Sequence, residues 1–304
     1  MMSGPTANYI DGDRSGRLHL QHGPIDLIIG VDGAVSLELE AYYRHHAYAL
    51  ANRRFQTVLD ELVSELPLLK RQAFADSPMP NGSTARRMIA AVRSFAESHF
   101  ITPMAAVAGS VADEVLAAML AGFTPESRPR RIYVNNGGDI ALHLDPGAEF
   151  RVGMSREDGQ ELGAFAVDAS HATRGVATSG RGGRSLSMGI ADSVTILART
   201  AAEADAAASL VANAVDLSGH PAVMRARAMD VVDDSDLGEH LVVTNCGELA
   251  YHEIGQALGA GAAEAERFIS GGLIHRAALF LKDRGRIVDP NQLDTPALES
   301  KRYA

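Results

Sequence analysis

The chain has 304 residues, of which 46% are hydrophobic and 22% are charged, and its formal net charge is −10. This length is enough to bury a large core in one large domain or in two closely packed ones. The acidic balance argues against a nucleic-acid-binding protein, since such proteins normally present a basic surface.

The first residues and the cysteine content set expectations for the protein's surroundings. Residues 1–15 are polar and lack the apolar core of a secretory signal, so we expect a disordered N-terminus. No run of about 18 apolar residues is present, which predicts a protein without a membrane span, and cytoplasm is the default location. Cys246 is the only cysteine, so it cannot form an internal disulfide and is expected to be a buried, inert thiol.

The first half of the chain predicts a hairpin followed by helices. Residues 17–31 alternate between apolar and polar and break at Gly23-Pro24, as a hairpin does. Residues 35–72 carry a helical apolar stripe that Pro67 interrupts. Two further helices are predicted, one from a cap at Ser83 or Thr84 to about residue 98 and one over about 105–120.

The second half mixes strands and helices. Strands are predicted at 131–134, 140–144, 150–153, 164–167, 191–198 and 241–244, and helices at 201–215 and 253–270. A closing hairpin covers 274–288, and residues 218–238 are weakly patterned. Because strands and helices come in clusters, we expect an α+β fold rather than a parallel doubly wound sheet.

The domain organisation follows from these elements. We expect one α+β domain over residues 16–288 and an extended or disordered tail over 289–304. The edge strands of the two terminal hairpins leave room for pairing between copies of the chain, so a homo-oligomer is compatible with the sequence.

Three segments carry residues suited to chemistry. Residues 107–115 (VAGSVADEV) place Asp113 near a helix start, where it can bond a ribose hydroxyl or an adenine amine or simply face solvent. The turn Asn135-Asn136-Gly137-Gly138-Asp139 holds more glycine than a plain hairpin needs, and ligand contact and a simple turn stay equally open.

The third segment, 175–209, joins a glycine-rich turn, a strand and a capped helix. Glycine loops can turn several N–H groups toward an anion. Thr200 is the expected N-cap, and Glu203 sits at the position of a capping-box carboxylate. Asp205 and Ser209, four residues apart on one helical face, offer two oxygen ligands for a hard cation such as magnesium, although Asp205 could also only complement the helix dipole.

Taken together, the three segments resemble the ApbE-like family in order and spacing. The counterparts of the family's motifs are AGSVAD (108–113), NNGGD (135–139), ATSG (177–180) and SVTILARTAAEADAAAS (193–209). The resemblance covers about residues 101–217. It implies an α+β fold of antiparallel sheets packed with helices, similar to a duplicated T-fold, and a flavin nucleotide such as FAD bound with magnesium.

The resemblance also implies roles for single residues. Asp205 and Ser209 would hold the metal with a backbone carbonyl near Val107. The nucleotide would contact the two glycine turns and their neighbours, at Asp113, Asn136, Gly137, Gly138, Asp139, Thr178, Ser179 and Gly180.

The chain departs from the family pattern at two places. Ala108 stands where the family has lysine, and Gly180 reaches Ser193 without the histidine-bearing loop of the family's transferases. Arg181 and Arg184 are candidates to supply positive charge. A TPMAAVAG run at 102–109 is typical of an uncharacterised branch of the family.

Histidines give little further guidance. His45 and His46 are neighbours on a helix and point apart, so surface positions are the better interpretation. His171 is the one histidine close to the TSG turn in sequence and is a candidate general base.

Three hypotheses follow. The first is a magnesium-dependent enzyme that cleaves a pyrophosphate or transfers FMN. The second is a flavin- or nucleotide-binding protein without catalysis. The third is a scaffold without a small ligand.

Overall fold

The computed structural model describes residues 4–10, 16–33, 37–155, 161–183, 185–290 and 298–299. Strands β1 to β14 within these ranges are, in chain order, Thr6–Tyr9, Leu18–His22, Ile25–Asp32, Arg131–Asn136, Asp139–Leu144, Glu149–Ser155, Glu161–Asp168, Gly175–Ser179, Ser193–Ala198, Val223–Arg227, Leu241–Cys246, Arg276–Leu281, Arg284–Val288 and Leu298–Glu299. Helices α1 to α7 are Leu37–Ser64, Leu66–Leu69, Ser83–Arg93, Val107–Leu120, Ala201–Ala214, Ala228–Val231 and Tyr251–Ser270, and a 3₁₀ turn, Pro103–Ala106, leads into α4.

One large antiparallel sheet organises the fold. Ten strands follow the order β1-β2-β3-β4-β5-β8-β9-β12-β13-β14, and every adjacent pair is antiparallel. The hairpins β6–β7 and β10–β11 form two separate two-stranded sheets. This arrangement is the α+β architecture that the sequence predicts.

The longer helices cover one face of the sheet, and the β6–β7 hairpin covers part of the other. Helices α1, α4, α5 and α7 pack side by side in that order. One apolar core lies under α1 and α4 and another under α5 and α7. A third, smaller core joins the hairpin to the opposite face of the sheet through residues such as Phe165, Val176 and Phe280.

Helix α4 is apolar on nearly all sides because it lies in the middle of the helical layer. Within the described ranges, Pro103–Leu120 is the one stretch that is long and apolar enough by composition to cross a membrane, and 61% of it is buried inside the fold. Its burial between α1 and α5 is that of a core helix.

The structure corrects several predicted elements. Thr6–Tyr9, inside the segment expected to be disordered, forms β1 because its backbone pairs with Leu18–Gln21 of β2. Gly175–Ser179, interpreted as part of a turn, is strand β8, since β5 and β9 pair with it from both sides. The weakly patterned region 218–238 contains β10 and α6.

Of the two predicted helix caps, the one on α3 is wrong and the one on α5 is confirmed in part. The N-cap of α3 is Gly82, and no side chain caps that helix. Thr200 caps α5 as expected, accepting from the N–H of Glu203 at 3.1 Å, but the Glu203 carboxylate pairs with Arg199. Residues 291–297 and 300–304 of the predicted tail lie outside the described residues, and Leu298–Glu299 pairs with β13.

Helices α4 and α5 meet at a glycine. A Cβ atom on Gly109 would lie 2.2 Å from the carbonyl oxygen of Ala201, a distance that no real Cβ contact reaches. Alanines fill most of the facing helix: Ala201, Ala202 and Ala204 are fully or nearly fully buried. Small residues therefore set the close approach of the two helices.

We predict that Gly109→Ala lowers the free energy of unfolding by about 1–3 kcal/mol, because the new methyl group meets backbone that cannot move aside. Urea unfolding monitored by circular dichroism measures this loss. Gly153→Ala is the matched control, since no atom lies within 4 Å of its added Cβ. Equal stability of the two variants would contradict the close contact.

Candidate functional site

The NNGGD segment is a tight hairpin between β4 and β5. Asn136 pairs with Asp139, so Gly137 and Gly138 form a two-residue turn with φ values of 65° and 113°. Both turn positions therefore need the positive φ that glycine adopts freely. The side-chain oxygen of Asn135 accepts from the N–H of Gly138 at 2.8 Å and fixes the turn.

The TSG turn, a name we keep for Thr178–Gly180 although Thr178 and Ser179 are the last residues of β8, lies directly beside this hairpin because β8 is the sheet neighbour of β5. Asp139 Oδ1 accepts from the N–H of Thr178 at 3.3 Å and joins the two turns. Gly180 has φ 152°, and a Cβ there would lie 2.4 Å from the carbonyl oxygen of Asp192. The two glycine turns, 39 residues apart in sequence, thus form one continuous wall.

Two aspartates tie the starts of α4 and α5 together. Asp113 on α4 accepts from the N–H groups of Ala201 at 3.2 Å and Ala202 at 2.9 Å, at the start of α5. Asp205 on α5 accepts in turn from the N–H of Gly109 at 3.0 Å, and also from Ala108, at the start of α4. The N-cap residue of α4 has no side chain that accepts from the first N–H groups of the helix, so Asp205 of α5 supplies the acceptor instead.

Burial changes the acidity of both aspartates. It raises the pKa of Asp113 to about 6, although the N–H bonds from Ala202 and Ala201 oppose the shift. Burial, and then the neighbouring Asp139 carboxylate, raise the pKa of Asp205 well above its usual range, and the N–H groups of Gly109 and Ala108 offset part of that. The neighbouring carboxylates of Asp139 and Asp205, shielded from water, are stabilised by a shared proton or by a bound cation.

These elements enclose a cavity of about 490 Å³, which we call the central cavity. The structure brings seven of the predicted site residues to its wall: Gly137, Asp139, Thr178, Ser179, Gly180, Asp205 and Ser209. Val107 and Ala108, near which the resemblance implies a metal-binding backbone carbonyl, line it as well.

Three predicted residues lie elsewhere. Gly138 faces a second cavity. Asn136 is buried and bridges two backbones, donating to the Ala108 carbonyl oxygen at 3.1 Å and accepting from the N–H of Asp26 at 3.3 Å. Asp113 is not among the described lining residues, because both of its oxygens point to the start of α5.

The second cavity, of about 830 Å³, is also lined by the glycine turns, and we call it the hairpin cavity. Val152 and Met154 of β6 line it, together with Ile140 and Val176 of the sheet. The two cavities share five lining residues: Gly137, Thr178, Ser179, Gly180 and Gly183.

The sequence pointed to neither of two further parts of the central cavity. Lys70, just after α2, and the segment 232–237 both line it. The segment adds Asp233, Asp234 and Asp236 to Asp139 and Asp205. A lone lysine and a run of aspartates in a weakly patterned region look like ordinary surface, so no local signal marks them.

The candidate basic residues take other positions. His171 lines a third cavity with His275, next to the start of β12, and none of the lining residues described for that cavity belongs to the glycine turns. Arg181 pairs with Asp192 at 2.6 Å in the wall of the hairpin cavity. Arg184 lies outside the described residues.

The oxygen atoms around the central cavity fit a hard cation that is held partly by the protein and partly by a bound phosphorylated molecule. Among the described residues, no three His, Cys, Asp or Glu side chains are grouped closely enough to hold a metal alone. The central cavity offers the Asp139 and Asp205 carboxylates, the Ser209 hydroxyl and backbone near Val107. Magnesium keeps several waters and takes ligand phosphates as partners, so this partial set suits it.

Comparisons with known proteins agree with the motif pattern. A family model described as "AbpE bacteria" matches residues 7–288. A "UPF0280 protein" from Methanococcus vannielii is 32% identical over 142 residues, which is 45% of this chain and 55% of that protein. One from Methanopyrus kandleri is 36% identical over 151 residues, or 49% and 58%. The chain thus spans just over half the length of these two relatives.

Two matches extend further along the chain. A "UPF0280 protein" from Methanosarcina acetivorans is 29% identical over 206 residues, 66% of this chain and 72% of that protein. The solved structure "Flavin Transferase ApbE from Vibrio cholerae" covers 93% of this chain and 96% of its own, at 14% identity and a TM-score of 0.35. That overlap is too loose for comparison residue by residue.

We predict that Asp113 makes the protein less stable as the pH rises from about 4 to 6. The folded pKa of about 6 lies above the ordinary value of 3.8, so the folded state holds a proton that the unfolded state has lost in this window. The stabilisation is complete below pH 4, and about 3 kcal/mol at most is lost by pH 6–7. Urea unfolding at pH 4, 5, 6 and 7 measures it.

Asp113→Asn keeps an acceptor for the start of α5 but does not titrate, so its stability should decline less than that of wild type. Asp205, whose pKa is also raised, keeps its own share of the decline. Asp60→Asn, on the exposed face of α1, makes the same charge change and should keep the decline. Parallel pH curves for wild type and Asp113→Asn would show that Asp113 is not the titrating group.

Proposed function

The chain belongs to the family described as AbpE bacteria, whose model spans residues 7–288, and from this premise we propose that it binds a flavin or another phosphorylated, nucleotide-like ligand together with magnesium. One observation carries the proposal: two glycine turns distant in sequence meet at a cavity that also holds Asp205 and Ser209. The proposed ligand is a small molecule and not a nucleic acid, and the proposed location is the cytoplasm.

The glycine turns support an anion between the two cavities. Gly137 and Gly180, which line both cavities, have positive φ, a conformation in which successive N–H groups can point to one side. Because both cavities share these turns, a ligand with phosphates in its middle could reach into each of them. A dinucleotide such as FAD has that layout, with a ring system at either end and a pyrophosphate between them.

The charges of the central cavity support magnesium. Its described lining includes five aspartates, so an anionic ligand entering alone would be repelled. Asp139, Asp205, Ser209 and backbone near Val107 are the groups that would hold the ion. When bound, magnesium would neutralise phosphate oxygens and lower the cost of charge on a leaving group.

In this proposal, several side chains around the central cavity hold the backbone of the binding site in position. The Asp139 carboxylate positions the TSG turn through the Thr178 N–H. Asp205 fixes the start of α4, and the buried Thr195 hydroxyl bonds that of Thr178 at 3.0 Å. Together they keep the phosphate-binding backbone rigid before a ligand arrives, which reduces the entropy lost on binding.

Pyrophosphate cleavage or FMN transfer is the reaction class that the family resemblance implies. A specific observation favours a second candidate, a binding protein without catalysis. None of the described residues lining the central cavity is a histidine, and His171 lies at another cavity. A general base would therefore have to be a carboxylate or come with an acceptor protein.

We predict that wild type binds FAD with magnesium and loses most of its affinity when magnesium is replaced by EDTA. Ser209→Ala removes one metal ligand without disturbing a helix cap and should weaken magnesium-dependent FAD binding by about tenfold or more. Asp139→Asn should do the same. Isothermal titration with FAD, with and without magnesium, measures both effects.

Asp60→Asn controls for the change in charge and should bind as wild type does. Chromatography of the same mixtures for released FMN and AMP separates enzyme from binding protein. Absence of heat with wild type at millimolar FAD and magnesium would overturn the proposal in favour of a scaffold. Binding that ignores both Ser209 and Asp139 would place the ligand outside the central cavity.

A further inference from the structure

The central cavity has an unbalanced set of charges. Five aspartates line it, whereas Lys70 is the one lysine or arginine among its described lining residues. The ligand proposed above is an anion. A phosphate-binding site needs hydrogen-bond donors and positive charge that outweigh the repulsion from nearby carboxylates. The single ammonium group of Lys70 therefore contributes much of the attraction that this cavity can offer a phosphate.

The backbone of Lys70 is fixed against the cavity wall. Its N–H donates to the carbonyl oxygen of Leu66 at 3.0 Å, and the preceding Leu69 is fully buried. Three residues later, the N–H of Ala73 donates to the carbonyl oxygen of Ile101 at 2.8 Å, and Ile101 also lines the cavity. The long side chain therefore pivots from a rigid base at the edge of the site.

The present partner of Lys70 is an exposed carboxylate. Lys70 Nζ lies 2.5 Å from Asp234 Oδ2 and donates to the Asp234 carbonyl oxygen at 2.6 Å. The Asp234 side chain is 84% exposed, whereas that of Lys70 is 24% exposed. An ion pair with so much water around one partner is weak and is screened by salt.

The acidic segment has a second attachment that does not involve Lys70. The Thr102 hydroxyl donates to the Asp236 carboxylate, and Thr102 is buried in the cavity wall. Asp234 itself has φ 60°, a left-handed conformation that aspartate and asparagine tolerate better than most residues. The segment can thus stay in place when Lys70 changes partner.

We infer that Lys70 is a ligand-binding residue: its ammonium group leaves Asp234 and contacts a phosphate oxygen of the ligand in the central cavity. Asp234 then acts as a competitor that holds the ammonium group at the cavity edge until a phosphate replaces it. A phosphate offers more negative charge and more acceptor oxygens than one solvated carboxylate, so the exchange is favourable. This inference rests on the proposed function.

The two partners give opposite expectations. Lys70→Met keeps the aliphatic stem and removes the charge, and it should weaken FAD binding in magnesium at least tenfold. Asp234→Asn keeps a side chain suited to φ 60° and removes the charged partner of Lys70, leaving it only neutral acceptors such as the backbone carbonyl oxygen of residue 234. It should tighten binding severalfold. In the double variant the gain from Asp234→Asn should vanish, because no ammonium group is left to be freed. Isothermal titration on the full chain measures all three.

The controls separate this role from a structural one. Asp233→Asn makes the same charge change in the same segment, and Asp233 has no described bond to Lys70, so its effect should be smaller than that of Asp234→Asn. Lys70→Arg should retain most of the affinity. If the pair only fastens the segment, Lys70→Met and Asp234→Asn will change affinity in the same direction, and the inference is overturned.

Two other results are informative. Unchanged affinity in Lys70→Met, with wild type binding FAD, would overturn the inference and leave the proposed function standing. Failure of wild type to bind FAD with magnesium would end both. If Lys70→Met folds poorly, as thermal melts would reveal, Asp234→Asn compared with Asp233→Asn still decides, because only a freed ammonium group predicts a larger gain for Asp234→Asn.

Discussion

The exchange of caps between α4 and α5 is the constraint on which the rest of the structure depends. Helix α4 has no side-chain cap of its own, and the Thr200 cap of α5 serves only the N–H of Glu203. Each helix supplies an aspartate to the other: Asp113 to Ala201 and Ala202, Asp205 to Gly109. The exchange requires the two helix starts to be in contact, and Gly109 permits this. The same contact brings Asp205 to the wall of the central cavity, so the position of a candidate metal ligand follows from a packing requirement.

The surroundings of Asp205 have opposite effects on the pKa of its carboxyl group. Burial and Asp139 favour the neutral acid, whereas the N–H groups at the start of α4 favour the carboxylate. A divalent cation beside both carboxylates would resolve the conflict by stabilising the charged form, and the helix starts would not need to move. The oxygens of Asp113 point to α5 and away from the cavity, so a cation in the cavity would not stabilise its charged form. Asp113 and Asp205 thus both accept from backbone N–H groups of the neighbouring helix, but only Asp205 is placed to bind a cation in the cavity.

The sequence predicted what is periodic or local and missed what depends on distant partners. The α+β class, the first and last hairpins and the Thr200 cap were all visible as patterns, and the order of the glycine motifs indicated the family. Strand β8 was missed because Gly175–Ser179 is glycine-containing and short, and its identity comes from neighbours on both sides. The Asp113 bonds span 88 and 89 residues, and the Lys70–Asp234 pair spans 164. No spacing rule along one chain reveals such pairs.

Charge decides which ligands the central cavity can accept. The chain is acidic overall, and the described lining concentrates that character with five aspartates against one lysine. A polyanion without a bound cation would be repelled by the carboxylates, which outnumber the single lysine, whereas a pyrophosphate carrying magnesium would arrive with much of its charge neutralised. The glycine turns can then donate N–H groups to the remaining oxygens. In the proposed function, selectivity for a metal-bound ligand over the free anion would therefore come from the same carboxylates that make the cavity unfavourable for phosphate alone.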